Sequence, residues 1–300
     1  MALPAPERLS VESIDRMKAH EMIARVRDLP PVSSAALRLI NLLNDADSGN
    51  EEIVQIIKED MVLTAKLLRA CNSSALGLGE PIASVDQAVL LLGQNQIYRI
   101  IMAMSFRRPM DIPLQAYAME VGDLWQHSLL AAKAAELAVV EGIDLGVDCS
   151  TAFTIGLLHD IGKLITSQFV TRQSLISIRH EIAKGRSAIE SEHDILQTDH
   201  AEVGAALAYL WRLPNTIIEA IGLHHTPPLR QVACPAIAAY FANRVAHRSA
   251  AFLDQHELPA LPGEQRIFEN LGLSEDKLQG LVEKVVESSA QTEEWIAVSC

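Results

Sequence analysis

The nonapeptide GLLHDIGKL, residues 156–164, decides the fold. Leu157, Leu158, Ile161 and Leu164 recur at helical spacing, so the run reads as a helix buried on most sides. His159 and Asp160 stand in its middle, where aliphatic residues would pack without penalty. A buried, unpaired carboxylate costs several kcal/mol, about. One hydrogen bond returns roughly 1–3 kcal/mol, whereas a bound metal ion supplies on the order of 10 kcal/mol. A cation held by His159 and Asp160 therefore offsets the burial most fully. The competing partner for Asp160 is Lys163, one turn further on.

The helical period extends outward in both directions. Residues 9–27 read as a lead-in helix with Ile14, Met17, Met22, Ile23 and Val26 apolar. Pro30 and Pro31 precede a helix carrying Leu37, Ile40 and Leu42/Leu43. GNEEIVQIIKED places Asn50 as a cap, acids in the first turn and Ile53, Ile56 and Ile57 inward. Ser84 caps the next helix, Gly93 ends it, and Pro109 closes the following one. Asp199 and Glu202 have capping-box spacing. Near the C-terminus Leu278, Leu281, Val282, Val285 and Val286 form one stripe that must pack on its own domain or a second copy. No segment alternates with strand period and no internal repeat occurs. The fold class is all-α, with a lead-in helix at 1–28, a helical subdomain at 29–110, a second at 111–250, and a loop and helix at 251–300.

Composition narrows the function classes. Of the 300 residues 49% are hydrophobic, enough for a sizeable core, and the formal charge is −13. That charge disfavours nucleic acid or an anionic membrane as partner, and the one basic cluster, Arg99, Arg107 and Arg108, is small. Cys71, Cys149, Cys234 and Cys300 are far apart and form no CxxC pair, which points to free thiols rather than a thiolate zinc site. The N-terminus lacks the basic-then-apolar pattern of a signal peptide, and no apolar run reaches bilayer length. A cytoplasmic protein is expected.

The second subdomain gathers the chemistry: His127, His159, Asp160, His200 and the pair His224/His225. Asp123 lies one turn before His127, on the same helix face by spacing. Imidazoles with a carboxylate suit Fe, Mn, Zn or Ni better than a thiolate-preferring metal. Because a carboxylate can bridge two ions, this set suffices for one divalent cation or two. His20, His180, His193, His247 and His256 fall outside the pattern and are assigned to the background.

LWQHSLLAAKAAELA (124–138), GLLHDIGKL, DHAEVGAALAYLWRLP (199–214) and AIGLHHTPP (220–228) together resemble the HDOD family, the HD-related output domains of bacterial signalling proteins. LPPVSSAALRLINLLND, IIKEDMVLTAKLLRACNSS and PIASVDQAVLLLG resemble that family's N-terminal half, and the likeness runs over roughly residues 28–245. The resemblance implies a five-helix HD-like core behind an extra helical subdomain, related to the HD and HD-GYP phosphodiesterases. It implies His127 as the first histidine, His159 and Asp160 as the HD pair with Asp160 bridging, and His200, His224 and His225 as later ligands. Asp123 falls where a third-metal ligand can stand, and Lys163 matches the lysine that contacts a substrate phosphate.

Two departures qualify the likeness. Asn243 stands where the closing aspartate is expected, and HHTPPL replaces the HD-GYP loop that recognises a cyclic dinucleotide. The expectation is a signalling module that keeps a metal site without turnover and engages other signalling proteins. A metal-dependent phosphohydrolase acting on a nucleotide or cyclic nucleotide, with Lys163 as its catalytic cation, is the second reading. The oligomeric state is left open.

Overall fold

A computed structural model describes residues 16–26, 30, 32–43, 50–73, 81–228, 233–254 and 263–297. Among the described residues every regular element is helical, with a single isolated bridge between Leu114 and Met119. The all-α expectation holds.

The N-terminal helices are α2 (Ser34–Leu42), α3 (Asn50–Glu59), α4 (Met61–Cys71), α5 (Val85–Leu92) and α6 (Gln94–Met110). Their ends follow the sequence signals. Ser33 Oγ accepts from Ala35 N, Asp60 from Leu63 N and Ser84 from Gln87 N, each satisfying an otherwise orphaned helix N–H. Gly93 takes φ +79° at the sharp α5–α6 junction, a conformation that favours glycine. Pro109 differs from expectation, since it lies inside the last turn of α6 and the helix ends at Met110. A proline so near the terminus removes only one backbone bond. The Asn50 cap abuts residues outside the described set.

A second set of helices comprises α7 (Asp123–Val140), α8 (Cys149–Leu158), α9 (Lys163–Phe169), α10 (Arg172–Ala183), α11 (Ala188–Leu196), α12 (His200–Leu210), α13 (Asn215–Leu223) and α14 (Pro235–Asp254). It is followed by α15 (Glu264–Asn270) and α16 (Glu275–Ala297). The lead-in helix α1 (Arg16–Arg25) packs on α12 and α9. The apolar stripe of α16 packs within its own chain, on α7, α14, α6 and α4, with Leu278, Leu281, Val282 and Val285 buried.

One continuous apolar core runs through both sets of helices. The long helix α6 faces α2, α4 and α5 on one side and α7, α8 and α16 on the other. Tyr98 OH meets Thr154 Oγ1 at 2.7 Å across α6 and α8. Arg99 pairs with the buried Glu136, which Lys133 Nζ also reaches at 3.0 Å. Glu136 thus has two cationic partners that offset the burial of its charge. No described helix is long and apolar enough to cross a membrane.

A candidate dinuclear metal centre

Two glycines let the backbones approach closely enough to build the site. A Cβ on Gly156 would lie 2.4 Å from Ala131 O, so α8 can sit directly against α7 and bring His159 beside His127. A Cβ on Gly162 would lie 1.9 Å from His200 O and 2.5 Å from Gly204 N. Only glycine there allows the turn after His159–Asp160 to meet the start of α12, where His200 begins the helix behind its Asp199 cap.

His159 Nδ1 donates to Gly156 O at 2.8 Å and His224 Nδ1 to Ile221 O at 2.7 Å. His200 Nδ1 donates to Glu192 Oε2 at 2.8 Å. These bonds orient the rings and turn the three Nε2 atoms toward Asp160, the outer-sphere arrangement that metal-binding histidines adopt. Around Asp160 Oδ2 stand His127 Nε2 and His159 Nε2, each at 3.4 Å. Around Oδ1 stand His200 Nε2 at 3.3 Å and His224 Nε2 at 3.6 Å, with His225 Nε2 3.0 Å from that of His200. Within each group the candidate ligand atoms lie within 4.8 Å of one another. With metal–ligand bonds of about 2.0–2.2 Å, small shifts close each set around one ion. The centre therefore has two halves that share Asp160.

Asp160 Oδ1 and His224 Nε2 are both buried and neither has a hydrogen-bond partner among the described residues. A carboxylate oxygen and an imidazole lone pair facing each other at 3.6 Å are two acceptors. Neither can satisfy the other, and a cation between them satisfies both. Lys163 Nζ does reach Asp160, at 2.5 Å from Oδ2. The competing salt bridge thus exists, but it engages Oδ2, while Oδ1 faces the imidazoles of His200 at 3.3 Å and His224 at 3.6 Å.

The electrostatics agree. Burial alone would raise the Asp160 carboxyl; the charges of Lys163 and His159 outweigh it and hold the group well below the usual carboxylate range. Burial pushes His127 and His225 well below the ordinary imidazole value and His159 down to about 3. His200 moves oppositely. Burial would lower it, yet Glu192 and Asp160 together raise it to about 9. Without metal the pocket draws one proton onto His200 and keeps these other imidazoles neutral, the form that ligates metal.

The structure brings together His127, His159, Asp160, His200, His224, His225 and Lys163. Asp123 is not among them. It is the first residue of α7, and its Oδ2 accepts from Glu120 N at 2.7 Å. It lines a cavity of about 430 Å³ with Arg107, Trp125 and Glu293 on the side facing α16. Helical spacing puts it on the His127 face, but the preceding loop claims its carboxylate. Asn243 on α14 is buried, and its Oδ1 has no hydrogen-bond partner among the described residues, as a ligand oxygen awaiting a cation would.

Sequence reasoning missed Glu192, His247 and Tyr117. Glu192 orients His200 from α11, and no spacing rule announces it. The Tyr117 ring stands edge-on to His200 at 5.9 Å, with Lys163 Nζ 5.4 Å from its centroid. His247, assigned to the background, lies against His127 with ring centroids 4.7 Å apart. Its signal was the four-residue step from Asn243. His193 sits 3.8 Å from the buried Asp199 and Glu202, a separate group beside the centre.

An all-α chain whose HD-like half carries one aspartate shared by two sets of converging histidines defines the class. The HDOD domain model matches residues 29–227, and the chain belongs to that family. A crystal structure of an HDOD domain protein of unknown function from Geobacter sulfurreducens superposes with a TM-score of 0.66 at 25% identity, covering 94% of this chain and 96% of that one. An uncharacterized protein of Treponema pallidum is 26% identical over 226 residues, 74% of this chain and 42% of the relative. Ribonuclease Y of Lactobacillus gasseri is 24% identical over 192 residues, 62% of this chain and 28% of the enzyme. The chain thus spans less than half the length of either relative.

Proposed function

We propose that this chain is a signal-transduction module of the cytoplasm whose HD-type centre holds two divalent cations, from among Fe, Mn, Ni and Zn, as a fold-stabilising and ligand-sensing element rather than a turnover site. Its surfaces engage other signalling proteins. The observation that carries the reading is the facing pair of Asp160 Oδ1 and His224 Nε2, two buried acceptors that a cation between them would satisfy together. The burial of the centre supports the non-catalytic part: Asp160 is 1% exposed and His159 and His224 are 0%. Tyr117 covers the Lys163 and His200 side, and HHTPPL offers no cyclic-dinucleotide recognition loop.

The test is elemental analysis of protein purified without chelators. Two equivalents of metal are expected in the wild type and none in Asp160→Ala, with no hydrolysis of nucleotides or cyclic dinucleotides by the loaded protein. A metal-free wild type would sink the centre, and turnover abolished by His159→Ala would sink the non-catalytic reading. A metal-dependent phosphohydrolase is the second reading. It is favoured by Lys163, whose ammonium lies beside the bridging carboxylate where it could stabilise charge on a phosphoryl group, and by the likeness to ribonuclease Y.

A further inference from the structure

We infer that the cavity walled by the short helical turn Gln115–Tyr117, α10 and the start of α11 binds a short aliphatic or aromatic monocarboxylate. The site lies outside the His/Asp cluster and goes beyond the reading above, since neither metal content nor hydrolysis enters its test. The cavity holds about 220 Å³, and Ala116, Val170, Ile178 and Ile182 give it mostly apolar walls. Ile182 is 41% exposed, so a large apolar side chain of the lining faces water that an apolar ligand would displace. Ala118, also in the lining, holds φ +54°, a left-handed conformation that costs alanine energy. Backbone strain of this kind clusters at ligand clamps. The neighbouring Tyr117 Oη is buried and has no hydrogen-bond partner among the described residues, so packing alone holds that ring.

Charge sets the ligand class. Arg179 is the one cation in the lining. Its Nη2 donates to Gln115 O at 3.3 Å, and it makes no ion pair among the described residues. A single guanidinium above apolar walls suits a planar, singly charged carboxylate, which it can meet with two parallel N–H bonds. A phosphoryl dianion would leave most of its oxygens without donors. Glu192, the one carboxylate of the lining, is buried and committed to His200, accepting from its N at 3.0 Å and its Nδ1 at 2.8 Å. Like charges repel, so the ligand's carboxylate lies at Arg179 and its apolar body points inward. Tyr117 and Glu192 line the cavity on one side and meet His200 on the other. An occupant therefore touches the two side chains that seat His200, which places a ligand input one residue away from the centre.

The experiment is calorimetric titration of the full chain, as purified, with hexanoate, benzoate and hexylamine. Both carboxylates are expected to bind the wild type, and hexylamine, with the same body and the opposite charge, is not. Arg179→Ala should weaken hexanoate binding about fivefold, the loss of one partly exposed ion pair. Ala188→Phe, which fills the cavity from the start of α11, should weaken it at least as much. Both positions are exposed, so the melting temperature should stay that of the wild type. Wild-type affinity in either variant overturns the inference, as does a wild type that binds neither carboxylate. Hexylamine binding as tightly as hexanoate overturns it too, since charge would then not select the ligand.

Discussion

In the N-terminal half, α2–α6, the interior is filled by side chains such as Leu39, Ile40, Ile57, Leu67 and Ile97, each at most 1% exposed. Polar groups there concentrate at helix ends, where Ser33, Asp60 and Ser84 satisfy backbone N–H groups. In the half built on α7–α14 the same kind of apolar shell surrounds His159, Asp160, His200 and His224. Both halves share one core, so neighbouring helices obey one packing rule yet differ in what they enclose. Burial of titratable groups is thus no accident of a loosely packed chain. Elsewhere buried charges such as Lys133 with Glu136 and Arg244 with Glu264 pair off, whereas at the centre several imidazoles converge on a single carboxylate.

If cations hold that second interior together, removing them should separate the halves most sharply. Stripping the loaded protein with a chelator should lower the melting temperature by about 10 °C or more, the shift for a ligand present far above its dissociation constant. Hydrogen exchange should rise first in α8, α12 and α13, with α2–α6 unaffected. A uniform loss of protection would break the contrast.

Steric substitutions come next. Gly162→Ala forces a methyl group into contact with the His200 carbonyl, with the Gly204 backbone close behind. It should destabilise the protein by at least about 3 kcal/mol and reduce metal uptake, because α12 must move away from the Asp160 turn. Leu39→Ala in the other half should cost about 3 kcal/mol by opening a cavity, and leave metal stoichiometry as it was. Denaturant unfolding with parallel metal analysis distinguishes the two. Equal metal loss in both would mean that the halves are not separable.

Acid should act on the metal-free protein through the second half alone. His127, His159 and His225 bind protons less readily folded than unfolded. Below the unfolded imidazole value of about 6.5 the unfolded chain takes up more protons, and stability falls as pH falls. For His159, with a folded value of about 3, the loss between pH 6.5 and pH 5 should be about 2 kcal/mol. His200, raised to about 9, acts in the opposite window. Its contribution is complete below about 6.5 and is lost as pH rises toward 9. Metal-free stability should therefore peak near pH 6.5–7, and a flat profile from pH 5 to pH 8 would contradict these environments.

Much of this was legible from the sequence because local signals carry it. The helix caps, Gly93 and the apolar stripes rest on neighbours three or four residues apart, and the His159–Asp160 pair declares itself by interrupting an oily run. The misses are long-range. Glu192 and His247 acquire meaning only when the chain brings Glu192 to His200 and α14 to α7, and the one local hint is the four-residue step from Asn243 to His247. Tyr117 sits in an irregular stretch, with Ala118 at φ +54°, where periodicity carries no information.

Asp123 gives the smallest effect and the most specific test of that lesson. Spacing pairs it with His127, whereas the structure ties its carboxylate to Glu120 N in the loop that leads into α7. One exposed hydrogen bond of this kind contributes about 1 kcal/mol or less. Asp123→Ala should therefore lower stability by no more than that and leave two equivalents of metal in place, read by chemical denaturation and elemental analysis of the same sample. Loss of an equivalent would restore Asp123 to the ligand set and show that the loop contact yields to metal. An unchanged count would mean that helical register alone does not recruit a ligand when a nearer backbone donor competes for the carboxylate.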